Sequence, residues 1–212
     1  MASRQNLFIS IVAVALLAGC VSDKQPRTTS TESEKVPITT TTPAPAPGPA
    51  EPPTPPPPAI ERKVIRIDAG SSKPYTDSSG NVWLPDQGFI GGDVVTREDS
   101  VQVENTQDPA LYRTEHWGMS GFSQAVPNGK YLVKLHFAET YSEIQGPEGR
   151  LFGMTVEGQE FSNFDVWAKA GGPRRAYIEE VNVNVADQKL DISFETIADS
   201  PEINAIEIIP VQ

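Results

Sequence analysis

From Lys63 to Gln212 apolar and polar residues alternate in short stretches broken by turn residues, with no convincing helical period of any length. A strand points successive side chains to opposite faces, so this spacing reads as half-buried β-strands. Tyr131, Val133, Leu135 and Phe137 share one face of such a strand, which leaves Lys130, Lys134 and His136 on the other as a solvated row. Val181, Val183 and Val185 alternate with Asn182 and Asn184, and Leu190, Ile192 and Phe194 alternate with Asp191, Ser193 and Glu195. Further strands are predicted over 64–68, 110–115, 122–126, 151–156 and 203–209, with turns at Pro127-Asn128-Gly129, Glu157-Gly158 and Ala170-Gly171-Gly172-Pro173. About ten strands in about 150 residues suit an all-β sandwich of two antiparallel sheets. A core of that size is self-sufficient without disulfides, and no internal repeat is visible.

Upstream the pattern changes. Residues 20–62 hold twelve of the chain's 20 prolines, and between Val21 and Arg62 the only large apolar side chains are Val21, Val36, Ile38 and Ile60. Such a segment has too little apolar surface to offset the entropy of folding. Polyproline II rises about 3.1 Å per residue, so the stretch reaches on the order of 100 Å when extended. It reads as a spacer, with a ligand for polyproline-binding domains as the other reading. Further upstream, Arg4 precedes an apolar run from Leu7 to Ala18 that ends in Gly19-Cys20. The run is well short of the ~20 apolar residues that span a bilayer, and it outlines a signal peptide over 1–19.

Charge and composition narrow the chemistry. With 28 Asp plus Glu against 17 Lys plus Arg, the net charge is −11, and no basic stripe overrides that field. Nucleic acid is therefore not an expected partner. One cysteine and two histidines exclude a disulfide framework, a Cys-rich zinc site and a three-His metal centre.

Leu17-Ala18-Gly19-Cys20 resembles the lipobox of bacterial lipoproteins. The resemblance implies cleavage before Cys20, a diacylglycerol on its thiol and attachment to a membrane through the lipidated Cys20. An ordinary secretory signal with an incidental cysteine is the alternative. Each buried CH₂ contributes about 0.8 kcal/mol, so two or three acyl chains anchor stably. In proteobacteria-like sorting an Asp after the lipidated cysteine retains the protein at the inner membrane. Val21 stands there instead, which implies a place in the bacterial cell envelope at the outer membrane.

Within 63–212 a second resemblance rests on Ile67-Asp68-Ala69-Gly70, on Leu111-Tyr112-Arg113-Thr114-Glu115-His116-Trp117-Gly118 and on the run Tyr131 to Tyr141. Leu151-Phe152 with Val156-Glu157-Gly158, Phe164-Asp165-Val166-Trp167 and the closing run Asp199 to Ile206 complete it. In this order the segments resemble malectin domains. The family implies a jelly-roll β-sandwich without enzymatic activity of its own, which binds carbohydrate in a cleft lined by aromatic side chains and an aspartate. Carried over position by position, the resemblance puts binding roles on Trp117, Tyr141 and Asp199. In two places the chain departs from the pattern. The aromatic that follows directly in malectin is Ser142, and the tyrosine of the earlier loop has no clear counterpart, Phe89 being the nearest substitute. The implied ligand is an oligosaccharide of gluco or galacto configuration, held non-covalently and without cofactor or metal.

Physical chemistry supports the same residues. A pyranose presents C–H groups that stack on an aromatic face, and its hydroxyls need fixed acceptors such as carboxylates. Trp117 and Tyr141 stand at predicted strand ends, where binding residues collect in sandwiches. Asp199 also reads as a plain turn residue before Pro201. His116 is a candidate hydrogen-bonding neighbour of the site, Trp167 a core aromatic, and Trp83 and Tyr75 flank a Gly/Ser-rich loop. Two other functions stay open: a glycosidase using carboxylates such as Glu139 and Asp199, and a protein-interaction module that has lost its sugar cleft. Ser120 and Ser123 lack the context of a nucleophile motif. A calcium site also stays open, although no EF-hand spacing appears.

Overall fold

The computed structural model describes residues 62–212. The predicted signal peptide, Cys20 and the proline-rich tether lie outside the described residues. In chain order the strands are β1 (Ile65–Asp68), β2 (Tyr75–Thr76), β3 (Val82–Trp83), β4 (Phe89–Ile90), β5 (Asp93–Thr96), β6 (Thr114–Trp117) and β7 (Gly121–Ala125). They continue with β8 (Gly129–Phe137), β9 (Leu151–Val156), β10 (Gln159–Phe164), β11 (Tyr177–Val185), β12 (Lys189–Ala198), β13 (Glu202–Ile203) and β14 (Ala205–Pro210). A short helix α1 (Val166–Ala170) and a 3-10 turn over Pro109–Tyr112 complete the elements.

Two antiparallel sheets form the sandwich that the alternation predicts. One has the order β1-β14-β8-β11, the other β10-β9-β12-β7-β4. Tyr131, Val133, Leu135 and Phe137 of β8 do share the inner face, with Val181, Val183 and Val185 of β11 beside them. The opposing sheet supplies Phe152, Met154 and Val156 of β9 and Leu190, Ile192 and Phe194 of β12. Phe137, Phe152 and Phe164 interlock at tilted angles with centroids 4.9–6.2 Å apart. β9 and β10 join through Glu157 (φ 47°) and Gly158 (φ 81°), the paired left-handed conformations of a tight hairpin turn.

A third sheet, β13-β6-β5, and a two-stranded ribbon, β2-β3, were not separated by the sequence pattern. The third sheet positions the candidate site.

Three expectations change. Residues 110–115 are not one strand: Pro109 opens a 3-10 turn that runs to Tyr112 and closes with the Arg113 N–H donating to the Ala110 carbonyl, and β6 begins only at Thr114. His136 lies on the outer face of β8, as alternation requires, but that face is covered. Its ring meets Trp83 edge-on at 5.4 Å, its Nδ1 pairs with the Tyr112 hydroxyl at 2.8 Å, and its Nε2 lies 3.3 Å from Glu207 Oε1. A second small core of Trp83, Val103, Leu111, Tyr112, Ala138 and Ala205 makes that cover, so His136 is buried rather than solvated. Trp167 is only half-buried on α1, outside both cores.

Candidate functional site

β6 lies between β5 and β13, with Val95 opposite Glu115, and with Asp93 and Glu202 both opposite Trp117. Alternation puts Glu115 and Trp117 on one face of β6 and His116 on the other. Where β8 ends, the chain continues through Glu139 and Thr140 to Tyr141, and Arg150 stands just before β9. These segments enclose a cleft of about 310 Å³ lined by Val95, Arg97, Glu115, Trp117, Tyr141, Arg150 and Asp199. Trp117 is 38 % and Tyr141 40 % exposed, large aromatic faces left open in a protein that buries most others.

The floor beneath these rings is a ladder of charges. Arg97 donates from Nη2 to Glu115 Oε1 at 2.8 Å and from Nε to Thr140 Oγ1 at 3.0 Å, and the Thr140 hydroxyl donates to Glu115 Oε2 at 2.9 Å. The Arg97 guanidinium also lies 5.8 Å from the Tyr141 ring centroid, within cation–π range. Arg150, itself buried, donates from Nε to Glu139 Oε2 at 2.7 Å and from Nη1 to the Ser200 carbonyl. The same Nη1 is 3.8 Å from Asp199 Oδ1. Arg150 thereby ties the Glu139 segment to the Asp199 turn, two pieces of chain remote in sequence. Asp199 adopts φ 61°, a left-handed conformation that Asp tolerates better than most residues.

Behind the ladder Glu202 is 1 % exposed, and neither of its carboxylate oxygens has a hydrogen-bond partner. Burial pushes its pKa well above 4.5, the negative charges of Glu115 and Glu139 push the same way, and Arg150 and Arg97 pull against them. Burial also raises Glu115, against the pull of Arg97. A buried carboxylate without hydrogen-bond partners is expensive, so burial favours the protonated form of Glu202.

The structure brings Trp117, Tyr141 and Asp199 to one cleft. It does not bring Phe89 there: Phe89 stacks on His116 with centroids 4.2 Å apart and packs on Phe122, so it supports β6 from behind. His116 likewise faces away from the cleft. Its Nδ1 is 3.0 Å from Asp86 Oδ1 and its Nε2 2.9 Å from the Gly91 carbonyl. Burial alone would lower its pKa, but with acceptors at both nitrogens the net shift is upward, and these two contacts pin the 86–92 loop. Trp83 belongs to the second core and donates its Nε1–H to Asp77, while the Tyr75 hydroxyl donates to Asp108. Val95, Arg97, Glu115 and Arg150 line the cleft without having been singled out. For Glu115 alone the sequence holds a signal that could have found it: it stands two residues before Trp117, which puts both on one face once β6 is known to run from Thr114 to Trp117. Among the described residues no group of His, Cys, Asp and Glu could hold a metal ion, and no helix is long and apolar enough to cross a membrane.

Comparison with known proteins agrees with this architecture. The chain is 32 % identical over 142 residues to a kinesin-like protein, KIN-14R, of Arabidopsis thaliana, covering 65 % of this chain and 13 % of that one. Kinesin-like protein KIN-14E of Oryza sativa subsp. japonica matches at 29 % over 153 residues, 68 % of this chain and 14 % of the other. This chain thus spans only a small part of the curated relatives it matches. Among solved structures it superposes on a β-glucuronidase of Bacteroides uniformis with a TM-score of 0.63 and 23 % identity, over 71 % of this chain and 18 % of that one. The plant receptor-like kinase FER gives a TM-score of 0.60 at 20 % identity, over 72 % and 52 %. At these identities the superpositions speak for the fold. The model of the malectin domain family matches residues 63–206, and the chain therefore belongs to that family of carbohydrate-binding or protein-interaction modules.

Proposed function

We propose that the domain binds an oligosaccharide non-covalently in the cleft between Trp117 and Tyr141. The observation that carries this reading is the pair of half-exposed aromatic faces in one cleft with Asp199 and a buried arginine–carboxylate ladder. Sugar C–H groups stack on the rings, and Asp199 accepts from hydroxyls at the rim. The ladder keeps the walls in place without rearrangement, which limits the entropy lost on binding. The chain is held in the bacterial envelope, at the outer membrane, through lipidated Cys20 and the proline-rich tether of 20–62.

Catalysis by Glu139 and Asp199 is disfavoured by what Glu139 already does. Its Oε2 receives Arg150 and its Oε1 receives the Tyr141 backbone N–H at 2.9 Å, with the side chain 1 % exposed. A general acid or base needs a free oxygen facing the substrate. The protein-interaction reading is favoured by one comparison: FER is also seen in a complex with the plant peptide RALF23 and LLG2, on a chain of the same fold.

The test is a glycan array probed with the full chain in detergent, beside Trp117→Ala and Asp199→Ala. Loss of one stacking face lowers affinity by about 1–3 kcal/mol, with far-UV and near-UV circular dichroism unchanged. Folded wild-type chain that retains no glycan on the array refutes the sugar reading and leaves a peptide or protein ligand.

A further inference from the structure

Tyr141 lines two cavities. Beyond it lies a second one of about 330 Å³, which Tyr141 shares with Ser142, Gln145, Trp167, Pro173 and Arg174. We infer that this cavity is a second saccharide subsite, in which Trp167 is the stacking platform for a further unit of the glycan held between Trp117 and Tyr141; the inference rests on the sugar-binding reading above.

Four observations point to it. The two cavities meet at one aromatic, so a linear glycan passes from one to the other across the Tyr141 ring. Each volume falls at the lower end of the range for small-molecule sites, about 300–1,000 Å³, which matches one or two sugar rings apiece. Trp167 is half-buried on α1 and belongs to neither core, so its exposed face has no packing role. Ser142, Gln145 and Arg174 are exposed around it and supply hydroxyl, amide and guanidinium groups for sugar hydroxyls.

The walls are built in advance. Asp165 accepts from Ala168 N–H at 2.9 Å through one oxygen and from Glu148 N–H at 2.7 Å through the other, which fastens α1 to the loop leading to Arg150. Opposite, Arg174 N–H donates to the Glu139 carbonyl at 2.8 Å, fixing the 172–174 wall against the segment that runs into Tyr141. Ser142 keeps the space open because its side chain is small; an indole there would fill it.

The chain's three tryptophans make the test direct, since Trp83 is buried and serves as an internal reference. The full chain in detergent is titrated with gluco- and galacto-oligosaccharides of two and of five units, while indole N–H resonances are followed by NMR and affinity by calorimetry. Pentasaccharide is expected to shift both Trp117 and Trp167, and disaccharide Trp117 alone. Trp167→Ala should lower pentasaccharide affinity about 5- to 50-fold, to the level of the disaccharide, and leave disaccharide affinity unchanged, and Ser142→Trp should lower the affinity of the pentasaccharide relative to that of the disaccharide. An unmoved Trp167 resonance with pentasaccharide bound, or equal affinities for both lengths, overturns the subsite while the cleft stands. Folded chain that binds neither length overturns both.

Discussion

Glu202 is the residue at which burial and charge are most at odds. Both its oxygens are unpartnered, and burial first, then the charges of Glu115 and Glu139, shift its pKa well upward. Asp68 behaves alike: burial raises it from 3.8 to about 6, against the Thr114 hydroxyl that donates to it at 2.6 Å. In both, the folded state binds a proton that the unfolded chain has already released. Stability from these groups is therefore fully present below their unfolded pKa values and is lost as pH rises through the raised ones. For Asp68 that window runs from 3.8 to about 6, and Glu115 and Glu202 carry the loss further in the same direction. His116, raised from 6.5, has the same sign. Glu207 is opposite, with burial raising it but His136 and Arg66 lowering it further, so the stability it gives fades only as pH falls below 4.5. Thermal melts should give a higher midpoint at pH 5 than at pH 7.5. Glu202→Gln, which cannot ionise, should be neutral or stabilise by up to about 2 kcal/mol at pH 7.5 and flatten the profile; a loss of stability there would show that Glu202 is ionised in the fold.

Helix α1 exists because of two residues at its ends. Asp165 caps its N-terminus, and Gly171 at φ 75° closes it. Asp165→Ala should cost about 1–3 kcal/mol, since it removes the cap and also leaves the Glu148 N–H unpaired; the thermal midpoint measures the loss, and an unchanged midpoint would mean that water replaces the carboxylate without penalty. Five residues are too few to show a helical period, which is why the alternation analysis passed over α1 while the long strands β8, β11 and β12 were legible from their apolar spacing. β5 was equally illegible, because a short strand leaves too few positions for an alternation to repeat, and the strand predicted over 203–209 ran together what the structure divides at Asn204 into β13 and β14. The sheet of β5 and β13 carries Val95, Glu115, Trp117 and Glu202, so the cleft's frame could not be drawn from the pattern. Trp117, Tyr141 and Asp199 were nonetheless placed together by resemblance to the malectin family. His136 was misjudged because alternation tells which face a side chain takes, not what covers that face, and Phe89 because it was only the nearest aromatic to a loop position for which the family pattern has no counterpart here.

At the scale of the molecule, β14 is flanked by β1 and β8, and Ile206 and Ile208 on it are fully buried. Deleting 205–212 should remove near-UV circular dichroism and glycan binding together, since it leaves β1 without a partner in the main sheets and opens one edge of β8; a truncated chain that kept a cooperative melt would contradict this. In the main sheets β1, the domain's first strand, pairs with β14 alone. It therefore waits for about 140 residues of following chain before it finds its place in that sheet, as Ile65 does with Ile208. Early in synthesis β1 has only the Leu84 segment to pair with, through the Asp68 N–H to the Leu84 carbonyl and the Leu84 N–H to the Arg66 carbonyl. Loop closure over that distance makes folding slow. The main sheet therefore closes only once its last-made strand is in place, so assembly of the sandwich is a late, all-at-once event.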